Sequence, residues 1–190
     1  MAKNKKTKTT AYSLSDWLNY LSRDEVDFIK EIALKSTKQS PVIVNIGAGA
    51  GTSGLAFAEA QPNADLYTID ISPGGPLGGL ESERNAFENT GLVYPMQILG
   101  DSKDVGKDWK LKIDILFIDG DHSEAGIRGD IDTWLPHVKR GGYVIFHDYV
   151  LSKWPAVKVV VDELMNEYQE VGIVGRIKAF KKTKVKNDTT

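Results

Sequence analysis

Two stretches of this chain end in side chains able to accept and donate protons. Ile113-Asp114-Ile115-Leu116-Phe117-Ile118 is an apolar run of strand length, and Asp119-Gly120-Asp121-His122 follows it directly. Tyr143-Val144-Ile145-Phe146 is a second such run, followed by His147-Asp148-Tyr149. Short apolar runs closed by turn residues read as strands covered on both faces. Their carboxyl ends, where open α/β sheets bind ligands, then gather carboxylates and imidazoles into one small volume. A neutral imidazole suits proton transfer near neutral pH, so His122 and His147 are candidate general bases, with Asp119 beside them.

A cradle for a second ligand precedes them. Val42-Ile43-Val44-Asn45-Ile46 reads as an interior strand that opens into Gly47-Ala48-Gly49-Ala50-Gly51 and Thr52-Ser53-Gly54, and then into the helix-forming Leu55-Ala56-Phe57-Ala58-Glu59-Ala60. Glycines let backbone N–H groups approach a ligand closely, and a helix start favours an anionic or carboxylate group. Gly47, Ala48, Gly49, Gly51, Thr52 and Ser53 are therefore candidate cofactor contacts. Two frames overlap here. Gly49 to Gly54 fits the G-x-G-x-x-G of dinucleotide-binding enzymes, and Gly47 to Gly51 fits the G-x-G-x-G of S-adenosylmethionine (SAM) methyltransferases. The strand ends at Ile46, so the first glycine is Gly47, and a dinucleotide frame begun there fails at Thr52.

The elements that must position these groups follow in order. Leu66 to Ile71 reads as a second strand carrying Asp70 at its carboxyl end, about 20 residues beyond the glycines, where an acid can accept hydrogen bonds from ribose hydroxyls. Ile71 and Ser72 adjoin it. Ser72 to Gly79 is a glycine- and proline-rich loop that reads either as a lid or as a plain connection. A helix from Glu81 to about Thr90, a strand from Val93 to Leu99, and Gly100-Asp101-Ser102 come next, Asp101 being placed near an adenine amino group. A helix capped by Ser123 buries Ile127, Ile131, Trp134, Leu135 and Val138 and stops at Arg140-Gly141-Gly142. Pro155 starts another helix, and Val171 to Lys182 makes two short strands about Gly175.

Composition sets the bounds. With 190 residues, 41% of them hydrophobic, the chain makes one domain with a substantial core. A net charge of −2 carries no general bias toward polyanions, and the absence of cysteine excludes disulfides, thiol nucleophiles and cysteine zinc sites. No apolar stretch of about 18 residues and no secretory signal are visible, so no membrane partner and a cytoplasmic location are expected. Residues 1–12 read as a disordered basic tail and 184–190 as a second tail. Residues 13–40 read as an N-terminal helical segment, with Leu14, Trp17, Leu18 and Leu21 on one stripe and a break at the capping box Ser22-Arg23-Asp24-Glu25. Residues 41–183 form the main domain. The lysines near the ends lack interleaved aromatic residues, so a nucleic-acid partner is disfavoured, and a homo-oligomer is left open.

With these segments in place the chain resembles the class I SAM-dependent methyltransferases, within them a small O-methyltransferase-like group whose strands end in F-I-D-G-D-H-S and F-H-D-Y. Here these are Phe117 to Ser123 and Phe146 to Tyr149, with Trp134-Leu135-Pro136 and Lys139 to Gly142 between them. The resemblance covers about residues 40 to 182. It implies a Rossmann-like, doubly wound α/β fold whose seven-stranded sheet is mostly parallel with the last strand antiparallel, and helices on both faces. It also implies SAM as cofactor, held by the residues named above together with Gly100, Asp101, Ser102, Asp119, Asp121 and His122. A small-molecule hydroxyl is the implied methyl acceptor, because the N/D-P-P-Y/F tetrapeptide of many amino-group methyltransferases is absent. Similarity to the metal-dependent members maps a divalent cation, magnesium or similar, onto Asp119, His147 and Asp148. Asn45 departs from the glutamate or aspartate that many members carry there. The rival expectations are a non-catalytic SAM-binding protein and an NAD-binding oxidoreductase, with a nucleic-acid methyltransferase behind them.

Overall fold

The computed structural model describes residues 8–18, 20–36, 38–75, 78–88 and 90–183. The expectations for residues 1–7 and 184–190, for the side chains of Trp17 and Leu18, and for Pro76-Leu77 of the loop lie outside the described residues. Seven strands form one sheet in the order β3-β2-β1-β4-β5-β7-β6. They are β1 (Val42–Ile46), β2 (Asp65–Asp70), β3 (Met96–Leu99), β4 (Ile113–Ile118), β5 (Val138–Phe146), β6 (Gln169–Val174) and β7 (Ile177–Lys181). Strands β1 to β5 pair in parallel, and β7 runs antiparallel to both β5 and β6. The expected doubly wound sheet with a reversed last strand is therefore present.

Alternation along the strands splits the core into two layers. Ile43, Ile115, Phe117 and Ile145 face one way and pack with α1 (Ala11–Leu18), α2 (Arg23–Leu34), α3 (Thr52–Ala60) and the end of α4 (Leu80–Phe87). Val44, Ile46, Leu116, Val144 and Phe146 face the other way, toward α6 (Glu124–Trp134) and α7 (Pro155–Leu164), while α5 (Ser102–Lys107) contacts α6. No described helix is long and apolar enough to cross a membrane.

Register makes the site. Ile46 pairs with Ile69 on one side and Ile118 on the other, and Ile118 pairs with Phe146. The residues just past this row, Gly47, Asp70, Asp119 and His147, leave the sheet side by side where the chain reverses its direction of winding.

Several boundaries differ from the sequence expectation. Helix α1 begins at Ala11, inside the stretch read as tail, because Thr10 caps it: Ser13 N–H donates to Thr10 Oγ1 (3.1 Å) and Thr10 N–H to Ser13 Oγ (2.9 Å). Strand β3 starts at Met96, not Val93, since Pro95 cannot donate to a ladder. Helix α4 ends at Phe87 instead of Thr90. Strand β5 starts at Val138, not Tyr143: a short 3-10 turn over Leu135–His137, with Pro136 in it, ends α6, and Val138 pairs with Ile113 before the register shifts near Gly141. The capping box holds, with Ser22 N–H donating to Glu25 Oε2 (2.6 Å) and Glu25 N–H to Ser22 Oγ (3.2 Å).

Candidate functional site

The glycine turn leaves β1 pressed against the neighbouring strand end. Gly47 has φ +92°, and a Cβ there would run into the backbone carbonyl oxygen of Asp119, so a side chain is excluded by both conformation and space. Helix α3 then starts from Gly51 with no side-chain cap. Its first N–H groups are left to water or a ligand. Thr52 Oγ1, in the same turn, is buried without a hydrogen-bond partner.

Two cavities meet over this turn. The larger, about 590 Å3, is lined by Ile46, Gly47, Gly49, Ile69, Asp70, Ile71, Gly100, Asp101, Ser102, Lys103, Asp119, Gly120, Asp121 and His122. The smaller, about 210 Å3, lies between the turn and the α1–α2 connection and is lined by Tyr20, Leu21, Gly47 to Ala50, Thr52, Ser53, Asp119, His122, His147, Asp148 and Arg176. Gly47, Gly49, Asp119 and His122 belong to both.

The predicted residues divide by what else they do. Asp70 accepts hydrogen bonds from Ala48 N–H and Ser72 N–H, both at 2.7 Å, so its carboxylate anchors the glycine turn while facing the larger cavity. Asp101 caps α5 through Lys103 N–H (2.8 Å). Asp121 accepts from Ser123 N–H and Oγ–H, both at 2.9 Å. Two predicted contacts line neither cavity. Gly51, at φ +91°, is packed against α4, and Ser72 ties its own loop together through the carbonyls of Gly74 and Gly78. That loop is clasped to the glycine turn, Gly79 N–H donating to the Gly49 carbonyl at 2.7 Å.

Opposite Asp70 stands the acid–imidazole cluster. His147 Nδ1 lies 3.2 Å from Asp119 Oδ1 and 3.5 Å from Asp148 Oδ1. His122 Nε2 lies 3.3 Å from Asp119 Oδ1 and 3.1 Å from Asp148 Oδ2, yet neither contact has hydrogen-bonding geometry. Trp154 stacks on the His122 ring, centroids 5.1 Å apart, and fixes its plane. Asp148 adopts φ +54°, a conformation uncommon outside glycine that turns its carboxylate into the cluster. Burial would raise the Asp119 carboxyl, but His147 and His122 outweigh it and hold the pKa at about 2. Burial would lower His122, and Asp119 with Asp148 carries it instead to about 9. His147 is raised too, against burial, by the same carboxylates.

The three ligand atoms gathered within 4.8 Å of one another belong to Asp119, His122 and Asp148. The expected metal set names His147 in place of His122, and His147 Nδ1 also lies beside both carboxylates. His147 comes straight off β5, is 5% exposed, and stacks beneath the cluster on Phe117, whereas the turn after Asp119 brings His122 over the top.

Sequence reasoning missed the wall opposite. Glu25, 1% exposed, accepts from Arg176 N–H (2.6 Å) and Nε–H (3.3 Å). Arg176 reaches Asp148 Oδ1 (3.3 Å) and the Tyr20 carbonyl. Burial would raise Glu25, but the N–H groups of Ser22 and Arg176, with His147, keep its pKa low. The capping box was the one visible signal for Glu25, and it spoke only for a local role.

A methyltransferase domain family model matches residues 44–149. The uncharacterized protein R132 of Acanthamoeba polyphaga mimivirus is 40% identical over 58 residues, 30% of this chain and 26% of that protein, so the match spans about a quarter of the relative's length. Among solved structures, the O-methyltransferase NovP aligns with a TM-score of 0.70 at 18% identity, covering 86% of this chain and 81% of that one. The methyltransferase MycE, solved with Mg, SAH and mycinamycin VI, aligns with a TM-score of 0.64 at 16% identity, covering 97% of this chain and 57% of that one. At such identities the likeness is one of fold.

Proposed function

Since the chain belongs to the methyltransferase domain family, we propose that it transfers a methyl group from SAM to a hydroxyl of a small molecule, assisted by a divalent cation. The observation that carries this reading is the meeting of the two cavities over Gly47, Gly49 and Asp119. One extended ligand can keep its ribose at Asp70 and its reactive end beside His122 and Asp148. The uncapped start of α3 and the unpartnered Thr52 Oγ1 suit the carboxylate end of such a cofactor.

Methyl transfer is an in-line displacement in which the sulfur–carbon bond breaks, a carbon–oxygen bond forms, and the acceptor loses its hydroxyl proton. The protein must therefore align the acceptor and provide for that proton. His122, with a pKa near 9, holds a proton at neutral pH in the free protein, and His147 is raised in the same direction by the same carboxylates. His122 accepts no further proton until it gives up the first, which disfavours it as an unassisted base. The donor set of two carboxylates and an imidazole nitrogen facing them fits a divalent cation, with manganese or iron suited better than magnesium. A cation held there by Asp119, His122 and Asp148 would lower the pKa of the acceptor hydroxyl. His147 then orients Asp119, and Trp154 orients His122. The smaller cavity, about 210 Å3 and walled by Tyr20, Leu21 and Arg176, suits a small acceptor.

Calorimetry with SAM, S-adenosylhomocysteine and NAD tests the reading. SAM and S-adenosylhomocysteine should bind and NAD should not, and Asp70→Ala should weaken S-adenosylhomocysteine by about 1 to 3 kcal/mol through loss of charged hydrogen bonds. Binding of NAD alone, or unchanged affinity in the variant, would overturn it.

A further inference from the structure

Helix α4 contributes to neither cavity, yet it carries a fully buried acid. Glu83 has no exposed surface. Its Oε1 accepts from the Thr68 hydroxyl (2.9 Å) and its Oε2 from Gln97 Nε2 (2.9 Å). Beyond Thr68 the contacts continue: Asn45 Nδ2 faces Thr68 Oγ1 at 3.5 Å, and Ser53 Oγ donates to Asn45 Oδ1 at 3.2 Å. With the Glu83 carboxylate ionised, the hydrogen bonds run in one sense, from Ser53 through Asn45 and Thr68 to Glu83. The chain thus links α4, through β2 and β1, to the first turn of α3.

Packing enforces the same connection. A Cβ on Gly54 would collide with Glu83 Oε1, and one on Gly51 would lie 2.9 Å from Glu83 Cα. The glycine turn and the start of α3 are shaped around this one side chain. Gln97 cannot easily release it, because Gln97 Nε2 also donates to the Leu80 carbonyl (2.7 Å) and its Oε1 accepts from Arg84 (3.0 Å).

We propose that Glu83 is a positioning residue for the cofactor: as the terminal acceptor of this chain, it sets Ser53 and the first turn of α3 in the geometry that receives the ligand. The proposal rests on the SAM reading and adds a pH dependence to it. The ionised carboxylate accepts from both donors. The protonated acid must turn a hydroxyl toward one of them, and the chain slackens. Burial raises Glu83 to about 7, against the hydrogen bonds from Gln97 and Thr68, and Asp70 on β2 repels the ionised form. The α4 and β3 side presents Arg84 through Gln97, and β1 and α3 present the neutral Asn45, Ser53 and Gly54.

The test is S-adenosylhomocysteine binding by calorimetry from pH 5.5 to 8.5 on the full chain, Glu83→Gln and Thr68→Val, with thermal melts confirming that each variant is folded. Affinity of the unaltered protein should exceed that of either variant by about threefold to tenfold at the alkaline end, the value of one hydrogen bond, and converge with them at the acid end. Comparison at each pH cancels whatever titrates in the ligand or around Asp119. Thr68→Val keeps the acid but cuts the chain, so it decides the matter if Glu83→Gln fails to fold. Variants that keep the pH profile of the unaltered protein overturn the positioning role alone. No binding by the unaltered protein at any pH overturns the cofactor reading, and the proposal with it.

Discussion

Asp119 and Glu83 are acids on either side of the same glycine turn, and their surroundings drive them apart. Asp119 faces two imidazoles and is held ionised, with a pKa of about 2. Glu83 faces a hydroxyl and an amide, and burial lifts it to about 7. Desolvation favours the neutral acid at both sites. What separates them is the presence of a cationic neighbour, because neutral donors offset burial only in part. An acid kept charged beside histidines belongs to a site that handles charge, and an acid poised between its two forms among neutral donors belongs to the frame beneath it.

The largest effect that would separate the two is on cation binding. Asp148→Ala should cost manganese affinity about a hundredfold or more in calorimetry with S-adenosylhomocysteine present, since even groups behind the ligands cost roughly 10- to 100-fold. Glu83→Gln should leave that affinity within a few-fold, and equal losses in both variants would erase the distinction.

Stability should show the reverse pattern. Glu83→Ala leaves the Thr68 hydroxyl and the Gln97 amide without their acceptor and opens a cavity, for a loss of about 3 kcal/mol in denaturant unfolding.

The two acids should also impose opposite pH dependences on folding. Glu83, raised when folded, contributes stability that is complete below its ordinary value of 4.5 and is lost as the pH climbs through about 7, a swing of roughly 3 kcal/mol at about 1.4 kcal/mol per unit. Asp119, lowered when folded, contributes stability present above 3.8 and lost as the pH falls through about 2. Subtracting the Glu83→Gln unfolding profile from that of the unaltered protein should isolate the first slope between pH 4.5 and 7. A flat difference would mean that Glu83 is not perturbed.

The smallest effect is expected at Trp154. Removing the ring that stacks on His122 should loosen manganese by only about threefold, in keeping with the ~0.5 to 1 kcal/mol of an exposed aromatic contact.

Much of the charged side could be read in the chain itself, and little of the neutral side could. Asp119, His122, His147 and Asp148 announce themselves because apolar runs deliver them to strand ends, and parallel register then aligns those ends whatever the loops do. That His122 joins His147 against the two carboxylates was not legible, because it depends on how far the turn after Asp119 curls back. Glu83 looked like any surface acid of an amphipathic helix. Its burial comes from Gly51 and Gly54, which admit α4 at close range and lie on a different element. Thr10 was hidden in a polar run of tail-like composition, and only the docking of Ala11 beside Glu59 makes its cap worthwhile.

The hydrogen bond from Arg176 to Glu25 joins residues 151 positions apart, and with it the wall of the smaller cavity unites the α1–α2 region with the turn between β6 and β7. During synthesis the glycine turn, Asp70 and Asp119 can come together while the final hairpin is still inside the ribosome. The Tyr20–Arg176 wall cannot form until that hairpin has emerged and closed a loop of nearly the whole chain, a slow and entropically costly event. A nascent polypeptide would thus shape the larger cavity first, and wall the smaller one only after residues 169–181 have emerged.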